Sequence, residues 1–172
     1  MSKLIAFYSR AGENYFSGSL INIEIGNTEK VAKIIASIIC ADLFKIEQEN
    51  PYSNNYNVCI DEAKKDLYLN VRPKILNIPS DILKYDEIYL GYPNYFGTMP
   101  MAIYAFLEKF DFKGKKIYPF CTHEGSGMSN TEKDIAKTAN GVKVEKGLAI
   151  HGSFVDKSEC IIKNWCKKEI YE

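Results

Sequence analysis

Glu87–Phe110 reads EIYLGYPNYFGTMPMAIYAFLEKF. Its first five residues, Glu87–Gly91, form a short apolar run of the kind found in a parallel strand covered on both faces. Its last eleven, Pro100–Phe110, carry Ile103, Phe106, Leu107 and Phe110 at helical spacing, with Pro100 tolerated in the first turn. Between them, Gly91–Pro100 holds two glycines, two prolines and three aromatics. A strand, a stiff turned loop and a helix make one βα unit.

The same unit recurs in both directions. Upstream, Leu4–Tyr8 (LIAFY) and Leu43–Ile46 read as strands, and Thr28–Cys40 and Tyr56–Leu69 as helices. Downstream, Lys116–Cys121 (KIYPFC) is a strand whose Pro119 lacks an N–H, awkward in a sheet interior. Ser129-Asn130-Thr131-Glu132 has capping-box form and predicts a helix start. Lys143–Ile150 is the fifth strand and Asp156–Tyr171 the last helix, with Ile161, Ile162, Trp165 and Cys166 toward the core. Five alternations predict an α/β fold: a doubly wound parallel sheet of five strands between two helical layers. No linker or repeat divides residues 1–172, so one domain is expected. The irregular stretch is Ser9–Asn27, long for a loop in a compact domain; its Leu20–Ile25 alternates well enough for a short added strand.

Composition agrees with a folded domain. Of 172 residues, 46% are hydrophobic and 26% charged, and 22 Lys+Arg balance 22 Asp+Glu. That apolar content argues against disorder, and a chain this long buries about two-thirds of its unfolded surface. The absence of basic excess gives no support for a nucleic-acid or anionic-membrane partner. No apolar run is long enough to span a bilayer. Met1–Tyr8 has one basic residue before the first strand, so no signal peptide is expected. Five cysteines without CxxC spacing predict reduced thiols, a cytoplasmic protein and no metal site.

In open parallel sheets, ligands bind beyond the carboxyl ends of the strands. After the first strand comes Ser9-Arg10-Ala11-Gly12, and Gly26-Asn27-Thr28 precedes the first helix. A helix amino terminus suits a phosphate, although plain capping by Thr28 and a turn at Gly26 explain the same residues. Neither a Walker A loop nor GxGxxG is present. The aromatics at Tyr95 and Phe96 suit stacking on a planar ring or packing on the following helix. After the fourth strand, Thr122-His123-Glu124-Gly125-Ser126-Gly127 offers a second polar edge. A Cys121–His123 nucleophile lacks an identifiable orienting acid.

These three loops resemble the flavodoxin family, in the branch with a long insertion in the phosphate loop. The matching residues are Tyr8-Ser9-Arg10-Ala11-Gly12-Glu13-Asn14 with Gly26-Asn27-Thr28-Glu29, then Tyr85–Pro93 with Tyr95 and Pro100, then Phe120-Cys121-Thr122 with Gly125-Ser126-Gly127. The resemblance implies strand order 2-1-3-4-5 and non-covalent FMN. By position, Ser9, Arg10, Ala11, Asn27 and Thr28 would hold the phosphate, Arg10 chiefly through its backbone. Pro93, Asn94, Tyr95, Phe96 and Gly97 would border the isoalloxazine, and Thr122, His123, Gly125 and Ser126 its other edge. Gly97 would permit a carbonyl to turn toward the ring on reduction. Glu13 and Glu124 would disfavour an anionic reduced ring, and Tyr15 and Phe16 of the insertion would lie over the site or serve a partner.

The resemblance implies an electron-transfer protein that docks on redox partner proteins. The alternative is an FMN-dependent NAD(P)H:quinone-type oxidoreductase with a small-molecule electron donor or acceptor. The neutral charge departs from the acidic surface typical of carriers. A flavin-free phosphate-binding regulator is disfavoured, because Ser9 and Arg10 stand where such proteins place acids. Oligomeric state is open.

Overall fold

The computed structural model describes residues 2–171; Met1 and Glu172 lie outside it. Strand β1 (Lys3–Phe7) leads into a hairpin of β2 (Gly12–Phe16) and β3 (Ser19–Ile23). Then follow α1 (Asn27–Ile39), β4 (Asp42–Lys45), α2 (Tyr56–Tyr68), β5 (Glu87–Pro93), α3 (Met101–Lys109) and β6 (Lys116–His123). The chain ends with α4 (Thr131–Thr138), β7 (Lys143–Val144), β8 (Leu148–His151), a 3-10 turn at Gly152–Lys157, and α5 (Glu159–Tyr171).

The main sheet runs β4-β1-β5-β6, with β7 and β8 in turn beside β6, and every pairing in it is parallel. Counting β7 and β8 as one position gives the expected order 2-1-3-4-5. Alternate residues of β1 serve opposite faces. Leu4 and Ala6 join α3 and α4 through Ala102, Ile103, Phe106 and Ile135. Ile5 and Phe7 join α1 and α5 through Val31, Ile35, Ile162 and Trp165. On that second face Tyr89 stacks on its cross-strand partner Tyr118 at 4.7 Å, and Trp165 meets Tyr89 edge-on.

Four sequence expectations need correction. The fifth strand is broken between Val144 and Leu148, so the sheet has six strands. Pro119 accounts for the break being tolerated. The Ile117 carbonyl accepts from Glu145 N–H on the β7 side, and Pro119, two residues on, directs its missing N–H the same way. The absent donor therefore faces the gap. Second, the capping box is not formed. Ser129 has φ 50°, its hydroxyl donates to Ser126 O, and Glu132 Oε1 accepts from Gly147 N–H. Third, the last helix starts at Glu159 rather than Asp156, which lies in the 3-10 turn and pairs with Lys30 at 2.9 Å. Ile161 on that helix is 57% exposed, whereas Ile162, Trp165 and Cys166 are buried. Fourth, the insertion forms two strands, not one. Ser17 and Gly18 both have positive φ, 43° and 100°, as a tight two-residue hairpin turn requires.

Gly91 stands opposite Phe120 in the β5–β6 register. A Cβ there would lie 2.1 Å from Phe120 Cζ, and that ring is fully buried. Gly91→Ala should therefore lower unfolding stability by about 2–3 kcal/mol through overpacking, and Phe120→Leu in that background should restore part of it. Urea denaturation measures both; a loss below about 0.5 kcal/mol, within the range of surface substitutions, would show that the ring moves aside freely.

Candidate functional site

A cleft of about 270 Å³ opens at the carboxyl ends of β1, β5 and β6. Its first wall is the amino end of α1. A Cβ on Gly26 would sit 2.2 Å from Ser9 Oγ and 2.6 Å from Arg10 O, so only glycine lets the helix start this close to the turn after β1. Ser9 Oγ accepts the Glu29 N–H at 3.0 Å and thus caps the helix from another segment. Among the described residues, no acceptor meets the main-chain N–H groups of Asn27 and Thr28. Thr28 is buried, and its hydroxyl joins that of Thr122 at 2.7 Å, tying the helix to the end of β6. The result is an anion cradle: free amides, a helix dipole and a backbone gap that any side chain at position 26 would fill. Burial raises the Glu29 carboxyl, but ion pairs with Lys33 and Lys45 more than offset this and hold it below the usual range. Those pairs draw this carboxylate away from the cradle.

The second wall is the loop after β5. Tyr95 and Thr98 exchange backbone hydrogen bonds around Phe96 (φ 56°) and Gly97 (φ 81°), a tight turn with two left-handed residues. Phe96 pays the strain of that conformation while remaining 47% exposed at the cleft. Tyr95 is held further back, edge-on to Tyr8 at 6.3 Å. Asn94 stitches this loop to the next: its Nδ2 donates to Gly127 O and Ser129 Oγ, while its Oδ1 accepts Gly97 N–H. The Gly97 carbonyl takes the Asn130 N–H. Among the described residues, no donor reaches the Phe96 carbonyl. In the Phe96–Gly97 peptide the N–H is thus held by Asn94 Oδ1, while the Phe96 carbonyl is unpaired among the described residues.

The third wall is Thr122, His123, Glu124 and Ser126 with Gly152. Cys121 is buried and its thiol is pushed up to about 12 by desolvation. Its sulfur approaches the carbonyls of Thr122 and Gly127, so no Cys121–His123 nucleophile is assembled.

Of the residues singled out from sequence, Ser9, Arg10, Asn27, Thr28, Pro93, Asn94, Tyr95, Phe96, Thr122, His123 and Ser126 line this one cleft. Ala11, Gly97 and Gly125 do not line it. Arg10 turns its guanidinium away, to the carbonyls of Glu13, Ser53 and Asn54. Glu124 and Tyr15 also line the cleft; Glu13 and Phe16 do not. Glu13 instead accepts from Asn55 Nδ2 and Tyr56 N–H at the start of α2. The residues missed by sequence reasoning are Asn14 of the hairpin, Gly152, and Tyr56, Cys59, Ile60 and Ala63 of α2. Tyr56 stacks on Tyr15 at 6.2 Å.

A family model described as flavodoxin matches residues 13–169. No curated protein matches the chain. Among solved structures, a protein from Bacteroides eggerthii is 24% identical, covers 99% of both chains and superposes with a TM-score of 0.75. A flavoprotein from Lactobacillus acidophilus, solved in complex with FMN, is 24% identical over 91% of this chain and 97% of its own, with a TM-score of 0.64. Oxidised flavodoxin 2 from Bacillus cereus is 19% identical over 99% and 100%, with a TM-score of 0.57. These likenesses establish the fold. No helix among the described residues is long and apolar enough to cross a membrane.

His123 Nδ1 accepts the Gly125 N–H at 2.9 Å, leaving Nε2 as the nitrogen that carries the proton. Burial, and then the neighbouring His151 ring at 5.5 Å, lower its pKa below the ordinary 6.5. A histidine depressed in the folded state binds fewer protons than in the unfolded chain, so its contribution to stability falls as pH drops below 6.5. The His123 ring proton shifts in NMR should titrate below 6.5, and His123→Asn should flatten the acid limb of the stability profile; a midpoint above 6.5 would contradict the assignment.

Proposed function

Since this chain belongs to the flavodoxin family, we propose that it binds FMN in the cleft and transfers electrons through it. The observation that carries this reading is the cradle at Gly26-Asn27-Thr28. Two amides without acceptors at a helix start, beside the Ser9 hydroxyl, match the needs of a terminal phosphate. The exposed Phe96 ring and the apolar side of α2 at Ile60 and Ala63 supply the flat, poorly hydrated surface an isoalloxazine requires.

In this arrangement Ser9, Asn27 and Thr28 hold the phosphate, and Arg10 shapes the turn rather than pairing with it. Phe96 covers the ring. Thr122, His123 and Ser126 face its polar edge, with His123 Nε2–H as donor. The bound flavin supplies the redox chemistry, and the protein sets its orientation and polarity. Glu124 places a carboxylate near that edge and thereby disfavours added negative charge.

The carrier reading needs redox partner proteins at the cleft mouth. A second reading, an FMN-dependent NAD(P)H:quinone-type reductase, draws on the stacked Tyr15–Tyr56 pair, a planar surface beside the cleft that a carrier does not need. Anaerobic mixing of the FMN-loaded protein with NADPH or NADH separates them. Absence of bleaching over minutes is expected of the carrier; bleaching within seconds, without an added reductase, would establish the enzyme.

Thr28→Asp should weaken FMN binding by at least about tenfold, because it sets a carboxylate beside a phosphate at a helix start. Riboflavin, which lacks the phosphate, should bind wild type and variant within about twofold. Fluorescence titration of the two flavins, with thermal melts as a folding control, reads both. Equal FMN affinity in variant and wild type would place the phosphate elsewhere.

A further inference from the structure

We propose that Glu124 is a positioning residue that straps the β2–β3 hairpin across the cleft mouth, making the hairpin a lid through which the cofactor enters and leaves. The proposal rests on the reading that the cleft holds FMN.

The two ends of the hairpin are fastened at opposite sides of the sheet. Its base is tied near α2, which follows the edge strand β4. There the Arg10 guanidinium donates to the carbonyls of Ser53 and Asn54 at 2.8 Å each, and Glu13 N–H donates to Asn54 O. Its tip reaches the other edge, after β8. Ser17 N–H donates to Glu124 Oε2 at 3.1 Å, and the Ser17 hydroxyl donates to that of Ser153 at 2.9 Å. The same carboxylate accepts Ser153 N–H on Oε1 and the Ser153 hydroxyl on Oε2, both at 2.8 Å. One side chain thus joins three segments: residues 17, 124 and 153.

The lid lies over the binding surface itself. Asn14 and Tyr15, between base and tip, line the cleft. The latch sits at the cradle end. A Cβ on Gly152 would fall 2.5 Å from Glu124 Oε1 and 2.7 Å from Asn27 Nδ2, so the carboxylate stands beside the first residue of α1.

Little else fixes the tip. Leu20 and Ile21 of the hairpin are 47% and 41% exposed, and its ring contact, Tyr15 on Tyr56 at 6.2 Å, is to α2 on the side where the base is tied, so apolar packing does not hold the tip to the β8 edge. Among the described residues, every hydrogen bond of Ser17 to a segment outside the hairpin goes to Glu124 or Ser153. Segments held by a few polar contacts open at low free energy, whereas packed ones do not. The carboxylate makes those contacts charge-assisted and so the strongest available to a polar latch.

The test uses Glu124→Gln, Ser153→Ala and the double variant, with stopped-flow flavin fluorescence for FMN association and dissociation and hydrogen exchange at the Ser17 amide in the flavin-free protein. Weakening the latch should speed both association and dissociation by about tenfold; Ser153→Ala, which leaves every cleft-lining residue in place, should keep Kd within about twofold, whereas Glu124→Gln is read on the two rates and on Ser17 exchange. Ser17 exchange should quicken in parallel. Ser153→Ala should act in the same direction, and adding it to Glu124→Gln should change little further. Unchanged rates in both variants, or in Ser153→Ala a faster dissociation matched by an equal loss of affinity, would overturn the latch, since the latter means that the strap shapes the site without gating it. If wild type takes up no FMN, the reading of the cleft falls, and Ser17 exchange alone then upholds or overturns the latch.

Discussion

The amino end of α1 must touch the turn after β1, and that contact exists only because residue 26 has no side chain. Ser9 Oγ would lie 2.2 Å from any Cβ placed there. With glycine in place, Ser9 caps Glu29 N–H and leaves the two amides before it without partners. The Thr28–Thr122 hydroxyl pair then fixes the helix against the end of β6. From this one close approach follow the cradle and its placement beside the ends of β1 and β6.

The remaining walls are built to keep that geometry rigid. Asn94 Nδ2 joins the loops after β5 and β6 through two hydrogen bonds, Asn130 N–H adds a third to Gly97 O, and Asn94 Oδ1 braces Gly97 N–H within the first loop. Behind the turn, Tyr8 and Tyr95 meet edge to face, and burial raises the pKa of both phenols, keeping them neutral. Burial likewise raises the Cys59 thiol at the cleft wall, so it stays protonated near neutrality. The charged groups lining the cleft are thus Arg10, whose guanidinium is bound to the carbonyls of Glu13, Ser53 and Asn54, and Glu124, whose charge is distributed over donors from Ser17 and Ser153.

The alternation of strands and helices was legible because each buried strand is an unbroken apolar run and each helix carries a stripe. LIAFY and EIYLG could be covered only on two faces. The three loops were legible because Gly, Pro and hydroxyl residues cluster at strand ends. Strand β2 was not, since Gly12-Glu13-Asn14-Tyr15-Phe16 shows no alternation and pairs with β3 chiefly through its backbone. The break after Val144 was hidden because it depends on Pro119, which lies in another strand. Tyr56, Cys59, Ile60 and Ala63 gave no local sign of a site: they are ordinary positions of α2, brought to the cleft by the position of that helix. Glu124 was visible as an acid in a loop, but its donors lie 107 and 29 residues away. Polar contacts of that sequence separation leave no periodic trace.

The most direct measurement is a backbone amide NMR spectrum of the flavin-free protein before and after one equivalent of FMN, with riboflavin as comparison. The account predicts large shifts at Asn27 and Thr28 with FMN and small ones with riboflavin, while Phe96 and Gly97 respond to both. Amides at the start of α1 that stay in place when FMN binds, or no response to FMN anywhere in the cleft, would contradict it.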